Sequence, residues 1–423
     1  MSHVASYYAA SANPHPSYPR LEEDVDADVC VIGGGIAGCS TALNLAERGY
    51  RVVLLEAQRI GWGASGRSGG QAIVGYASGQ QKLIDALGID NARKLWNVTV
   101  DAMALLRERI ARHKIECDLH SGQLQVAIKA RHEEALRREQ RELEETFNYP
   151  HLRFVERGAL QSLLATDRYI AGLYDAGSAH LHPLNYTLGL ADAARTAGVR
   201  IFENSPATKI DRESPAVVQC ASGKVTARYV AVCCNAYIDG LIPEIQGRIM
   251  PVGTYIVATE PLGRERMTEL IRENIAVTDV NFVLDYFRRS ADDRLLFGGR
   301  VSYSGLDAFD TRSATRKRML NVFPQLADVK IEYAWGGYVD ITMSRAPDFG
   351  RVAPHIYYLQ GFSGHGIALT GMAGQLVAEA ISGQAERFDL FTRLQHQNFP
   401  GGTMLRTPAL VLAMLWYRMR DLL

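Results

Sequence analysis

The pattern of hydrophobic and polar positions falls into two styles along the chain. Residues 27–32 (ADVCVI) form the continuous, β-branched run that a strand buried on both faces requires. Ala37, Ala42, Leu43 and Ala46 then recur at helical spacing, and 51–56 (RVVLLE) is a second buried strand ending in an acid. A β-α-β unit is therefore predicted over 27–56. The same style returns late in the chain. There 356–360 reads as a strand, 361–366 as a glycine-rich turn, and 367–381 as a helix with apolar residues at 369, 372, 376, 377 and 380.

The middle of the chain differs. Residues 84–112 predict a covering helix, and 131–146 a charged helix with Glu133–Arg137 and Glu134–Arg138 at i,i+4. A helix over 188–196 follows the motif HLHPL (180–184). A strand at 198–204 leads to hairpin-like segments over 216–236, turning at Ser222–Gly223. Runs at 249–260, 282–290, 294–300 and 330–339 read as strands without helices between them, which predicts an antiparallel sheet. The expectation is an α/β chain of mixed α+β character. One Rossmann-like nucleotide-binding domain is discontinuous (residues 20–80, 175–245 and 345–400). An antiparallel-sheet substrate-binding domain takes 81–174 and 246–344, and a C-terminal helix takes 401–423. Its apolar stretch 408–416 is shorter than the roughly 18–20 residues of a membrane span, and Arg418 and Arg420 follow at once, so a docked helix is expected.

Composition narrows the function classes. Of 423 residues, 46 are Lys or Arg and 46 Asp or Glu, and 47% are hydrophobic, which excludes disordered, coiled-coil and collagenous chains. A net charge of zero argues against a nucleic-acid partner, since phosphate neutralisation needs a basic excess. The six cysteines form no C-x-x-C, and Cys233–Cys234 sit in an apolar run, so no metal site is expected and the pair reads as buried small hydrophobes. The N-terminal segment has neither a basic n-region nor an apolar h-region. A reduced, cytoplasmic setting is expected.

With 38 glycines against 15 prolines, many positions need unusual backbone angles or close approach, and the motifs say where. Gly33, Gly35 and Gly38 stand in G-x-G-x-x-G register between strand and helix, with Glu56 ending the next strand. Gly33 permits a tight turn, Gly35 the approach of a pyrophosphate, and Gly38 close packing of helix on strand, while the acid takes ribose hydroxyls. That acid would repel a 2′-phosphate, which leaves FAD or NAD. Next comes a loop with Gly61, Gly63, Gly66, Gly69 and Gly70, interspersed with Arg59, Arg67 and Gln71, where an NAD dehydrogenase would continue into another β-α unit. Such a loop suits backbone wrapped around a second flat moiety. The turn 361–366 opens another helix whose N-terminus can hold negative charge.

These segments resemble the amine and amino-acid oxidase group of FAD enzymes, which includes D-amino-acid, glycine and sarcosine oxidases. The resemblance extends through SYYAASAN (6–13), RIGWGASGRSGGQ (59–71), HPLN (182–185), LDYFRRSADDRLLFGGR (284–300), FPQL (323–326), SRAPDFGR (344–351) and FPGG (399–402). Together these strings are similar to a branch that oxidises γ-glutamylated or free polyamines. The resemblance implies that Gly33, Gly35, Gly38 and Glu56, with Ala57 and Arg59 beside them, bind the ADP half of FAD. It implies that Ala64, Ser65, Arg67, Gly69, Gly70 and Gln71 line the pyrophosphate–flavin junction, and that Ala207 meets the adenine through its backbone. Gly361, Ser363, Gly364, His365 and Gly366 would flank the isoalloxazine. Sarcosine oxidase-type relatives tether FAD through a late cysteine. None follows Cys234 here, so non-covalent FAD is expected.

The activity implied is oxidation of a primary amine of γ-glutamylputrescine or a related γ-glutamyl-polyamine. A hydride passes to flavin N5, the imine hydrolyses to aldehyde and ammonia, and O₂ reoxidises the flavin to give H₂O₂ in polyamine catabolism. The alternatives are an amino-acid oxidase of the same fold (glycine, sarcosine or a D-amino acid) and a dehydrogenase with a non-O₂ acceptor. The protein's task is to position the C–H bond and stabilise charge, and aromatic walls help it hold a cation. Trp335, followed by Gly336 and Gly337 that would admit a ligand, is the leading catalytic candidate, with His365 and with Arg345, which stands where glycine oxidase-like relatives hold a substrate carboxylate. Tyr255, Tyr286, Tyr303 and Tyr338, with Asp285 and Asp340, are the candidate substrate contacts. A small-molecule amine and O₂ are the expected partners, with no membrane span and the oligomeric state open.

Overall fold

A computed structural model describes residues 2–281, 284–302 and 311–401, without the side chains of 300–302 and 311. Tyr303 and, apart from Gly401, the helix expected over 401–423 lie outside the described residues. Two sheets organise the rest. In the first, strands run in the order Asp348–Ala353, Ile356–Gln360, Lys224–Val232, Val25–Ile32, Val52–Leu55, Arg200–Phe202. All neighbours are parallel except the pair Asp348–Ala353 and Ile356–Gln360, while Lys209–Asp211 and Ala216–Gln219 add an antiparallel extension. Val29, Cys30 and Val31 on the central strand are fully buried, as a strand covered on both faces must be. The helix Ile36–Glu47 packs on this sheet and against the helices Gly366–Ile381 and Pro183–Thr196. Close approach is possible because Gly374 has no side chain; a Cβ there would lie 2.6 Å from the Thr41 amide.

From Val25–Ile32 the chain moves to Val52–Leu55 on one side, while Lys224–Val232 pairs on the other. The crevice between these strands is a topological switch point, where ligands of doubly wound sheets bind.

The second sheet has nine strands: Ile331–Thr342, Ile249–Thr259, Leu295–Ser302, Tyr286–Arg289, Ala276–Asp279, His120–Ala127, Ala171–His180 and Gln71–Ala72 in order, with Leu152–Glu156 also pairing with Ala171–His180. It is antiparallel apart from the parallel pair of Ala276–Asp279 with His120–Ala127. The strands His120–Ala127 (HSGQLQVA), Leu152–Glu156 and Ala171–His180 (AGLYDAGSAH) have no counterpart in the sequence reading. Glycines and polar residues dilute their strand signal, and pairing in the sheet overrides it. The helix expected over 84–112 is interrupted by Gly88 at φ +79° into Gln80–Leu87 and Ile89–Arg112. The helix expected from 188 starts at Pro183, because Pro occupies the first turn and His182 Nδ1 accepts from the Asn185 amide at 3.1 Å. No helix among the described residues is long and apolar enough to cross a membrane.

Candidate functional site

A cavity of about 810 Å³ lies between the sheets, at the upper end of the roughly 300–1,000 Å³ of small-molecule and cofactor sites. Its first wall is made where strands of the parallel sheet end. Gly33, at φ +108°, turns the chain out of the first strand, and a Cβ there would stand 2.7 Å from the Cys233 carbonyl oxygen. Gly35 caps the helix Ile36–Glu47 without a side chain, so residues 33–37 face the cavity with their backbone. Ser65 Oγ accepts from the Ile36 amide at 3.0 Å. Gly38 does not line the cavity. Its role is packing, since a Cβ would overlap the Gly33 carbonyl oxygen. Glu56 ends the second strand and accepts from the Gly34 amide at 2.6 Å and the Gln58 amide at 2.7 Å. Burial pushes its pKa up, against the lowering effect of those amides. Ala57, Ala64, Ser65 and Ala207 complete this wall. Arg59 turns away from it, 2.9 Å from the Glu203 carboxylate.

The second wall belongs to the antiparallel sheet and the loops facing it. Gly69, Gly70 and Gln71 line it, Gln71 being fixed by Thr278 Oγ1, which donates to its Oε1 at 2.7 Å. The Tyr286 ring lies over Gly69 and faces the cavity. Ser363, Gly364, His365, Gly366 and Arg345 close this end, Arg345 with a left-handed φ of +63°. Gly361 is behind the lining, where its amide donates to the Asp340 carboxylate. The His365 pKa falls to about 4, through burial first and Arg345 second, so the imidazole is neutral at pH 7.

Five further candidates lie elsewhere. Trp335 is buried outside the cavity lining: its Nε1 donates to the Arg67 carbonyl at 2.9 Å and its ring meets Tyr8 edge-on at 5.3 Å. The room expected beside it for a ligand is taken by protein, since Gly336 faces the Tyr255 ring and Gly337 the Arg67 side chain. Tyr255 and Arg67 accordingly do not line the cavity, and the Arg67 guanidinium stacks 4.0 Å over Trp62. Tyr338 is 41% exposed, edge-on to Tyr237. Asp285 is buried against Arg318, whose Nε donates to it at 2.6 Å. Of the two candidate aspartates, Asp340 is the one that lines the cavity, 1% exposed, with its pKa raised to about 6 by burial. Asn235, which donates to Asp340, had no place in the motif reading. Its only signal is its position just past the Lys224–Val232 strand, at the switch point.

Ser68 Oγ, Asn235 Oδ1 and His365 Nδ1 line this cavity and have no hydrogen-bond partner among the described residues. Buried polar atoms are seldom left so, and a long ligand with polar groups along its length fits them. The side-chain-free cradle at Gly33–Gly35 fits a pyrophosphate, and the Glu56 carboxylate a ribose. The residues present therefore suit a dinucleotide.

Comparison with known proteins gives the same ligand class. A family profile described as "FAD dependent oxidoreductase" matches residues 28–380. The chain is 45% identical to the gamma-glutamylputrescine oxidoreductase of Escherichia coli (strain K12), over 99% of this chain and 98% of that one. Among solved structures, a glycine oxidase of Geobacillus kaustophilus superposes with a TM-score of 0.74 at 21% identity, over 88% of this chain and all of that one. An L-proline dehydrogenase of P. horikoshii superposes with a TM-score of 0.70 at 21% identity, over 87% and 98%. At that identity these two show the fold alone.

Proposed function

The chain belongs to the FAD-dependent oxidoreductases, and from that membership we propose that it oxidises the primary amine of γ-glutamylputrescine or a related γ-glutamyl-polyamine. The observation that carries this reading is the 45% identity, across 99% of the chain, to a protein named for that substrate. FAD, when bound, supplies the two-electron acceptor: a hydride leaves the amine's α-carbon, the imine hydrolyses to aldehyde and ammonia, and O₂ takes the electrons to give H₂O₂.

The chain's own residues hold and shape this site. The backbone at Gly35 and Ala37, at the start of the helix Ile36–Glu47, would face the pyrophosphate, Glu56 would take the ribose hydroxyls, and the Ala207 backbone would meet the adenine. The cysteine tether of sarcosine oxidase-type relatives is unavailable, since no cysteine follows Cys234, and the reading is non-covalent FAD. Ser68, Asn235 and His365 supply polar atoms left unpaired among the described residues. Neutral His365 exchanges a hydrogen bond without adding a second positive charge beside Arg345. Asp340, ionised above about pH 6, gives a cationic substrate its counter-charge, and Tyr286 offers an aromatic face. All six cysteines are free, which suits a reducing compartment such as the cytoplasm.

Arg345 in the cavity lining favours a second reading, an amino-acid oxidase whose substrate carboxylate this guanidinium holds. Product stoichiometry separates the possibilities. In air, each γ-glutamylputrescine consumed should yield one aldehyde, one ammonia and one peroxide. Dye reduction without peroxide would assign a non-O₂ acceptor, and faster turnover of glycine or D-alanine would assign the second reading.

A further inference from the structure

The strand Tyr286–Arg289 carries a cation that the proposed reaction has not used. Arg288 is 4% exposed, and four of its N–H donors are spoken for. Nε donates to the Gly69 carbonyl at 2.7 Å, Nη1 to the Arg289 carbonyl at 3.1 Å, and Nη2 to the Leu181 carbonyl at 2.8 Å and to Tyr8 Oη at 3.0 Å. None of these partners is an acid. The contrast with neighbouring arginines is direct: Arg289 is paired with Asp293, and Arg294 with Asp292 and Glu332. Burying a charge without a counter-ion is costly, and carbonyl dipoles offset the cost only in part.

Among the described residues, the groups around Arg288 leave that charge without a paired acid. The imidazoles of His180 and His182 are held neutral, their pKa values lowered to about 3 by burial first and by Arg288 second. His120 is shifted the same way, chiefly by burial. Tyr8 is buried and its pKa raised, so its hydroxyl stays neutral.

The guanidinium lies just behind the cavity. Gly69 and Gly70 form the lining, and a Cβ on Gly70 would stand 2.8 Å from Arg288 Nη2. Only the loop backbone separates the charge from the ligand space, and a fixed charge at such a distance in a poorly hydrated interior acts strongly on any charge that develops there.

We propose that Arg288 is a positioning residue whose uncompensated positive charge, set one backbone thickness behind Gly69–Gly70, stabilises negative charge on the flavin end of bound FAD. It fixes the loop through the Gly69 carbonyl and acts across it. This rests on FAD occupying the cavity, not on the identity of the amine.

Sulfite addition to the oxidised holoenzyme tests it, because the adduct places negative charge on the flavin and needs no amine substrate. Bleaching of the flavin's visible band gives the dissociation constant. Arg288→Gln, which keeps donors but loses the charge, should weaken sulfite binding about 10-fold or more. Arg288→Lys, which keeps the charge but loses the fork of donors, should stay within about 3-fold of the wild type. His120→Glu places an acid near Arg288 from an exposed position and should weaken sulfite binding about 3-fold, so a result is available even where Arg288→Gln does not fold. The proposal is overturned if Lys and Gln weaken binding equally, if neither does, or if His120→Glu has no effect. Normal sulfite affinities with no bleaching by γ-glutamylputrescine would sink the substrate reading and leave Arg288 untouched.

Discussion

The cavity's two walls are built on different terms. The parallel-sheet wall comes mainly from segments that follow directly on a strand end, 33–37 with Glu56 and Ala57, joined by Ala64, Ser65 and Ala207. It is largely backbone and an absence of side chains, held in place by the Glu56 carboxylate and the Ser65 hydroxyl. The opposite wall is made by side chains from distant parts of the chain, among them Tyr286 and Asp340, aimed by sheet register, and Arg345 and His365, held in turns by what packs around them. A wall of backbone is set by local conformation, whereas a wall of side chains is set by tertiary packing. Variants in the first should act on FAD retention, and variants in the second on turnover and pH dependence.

The sharpest break comes from Gly38→Val. Its side chain must overlap the Gly33 carbonyl, so the turn and the helix cannot keep their places. We expect an FAD affinity lowered about 1,000-fold or more, roughly 4 kcal/mol, read as an apoprotein after gel filtration. A normal flavin-to-protein ratio would undo the backbone account of this wall. Glu56→Ala should be milder. It leaves the Gly34 and Gln58 amides without their acceptor and removes the ribose contact, so the FAD dissociation constant, followed by flavin fluorescence, should rise about 30- to 100-fold.

Asp340→Asn probes the side-chain wall. Burial raises the Asp340 pKa from 3.8 to about 6, so the folded protein holds this proton more tightly than the unfolded chain. Stability from this group is therefore present below pH 3.8 and lost as pH rises through 6. Asparagine removes that loss. Thermal unfolding should show the variant more stable than the wild type at pH 8, on the order of 1–3 kcal/mol, with the gain gone by pH 4. Its kcat/KM for the amine should fall about 10-fold while FAD content holds.

The smallest effect is expected at Trp335→Phe. The bond to the Arg67 carbonyl and part of the buried ring volume are lost, so stability should fall by about 1–2 kcal/mol while kcat/KM stays within about 2-fold. A large loss of turnover with full FAD and unchanged stability would place this ring at the substrate after all.

The contrast also explains what was legible in the sequence. The turn at Gly33, the helix start at Gly35, the close packing at Gly38 and the strand end at Glu56 were legible because strand, turn and helix geometry dictate residue type at fixed spacing. Most of the long strands were legible from apolar runs. His120–Ala127 and Ala171–His180 were not, because partners distant in sequence supply what their glycine-bearing strings lack. Trp335 shows the limit on the other wall. The two glycines after it do mark close approach, but the approaching groups are Tyr255 and Arg67, which no spacing rule names. Asp285 and Asp340 look equivalent in the sequence. Arg318 neutralises the first, while the second opens on the cavity with backbone and amide donors.

The central claim is that this FAD cavity serves a γ-glutamylated amine, and anaerobic titration of the holoenzyme tests it most directly. One equivalent of γ-glutamylputrescine should bleach the flavin completely, while glycine and D-alanine leave it oxidised. A flavin that stays oxidised with γ-glutamylputrescine and is bleached by either amino acid would contradict the account.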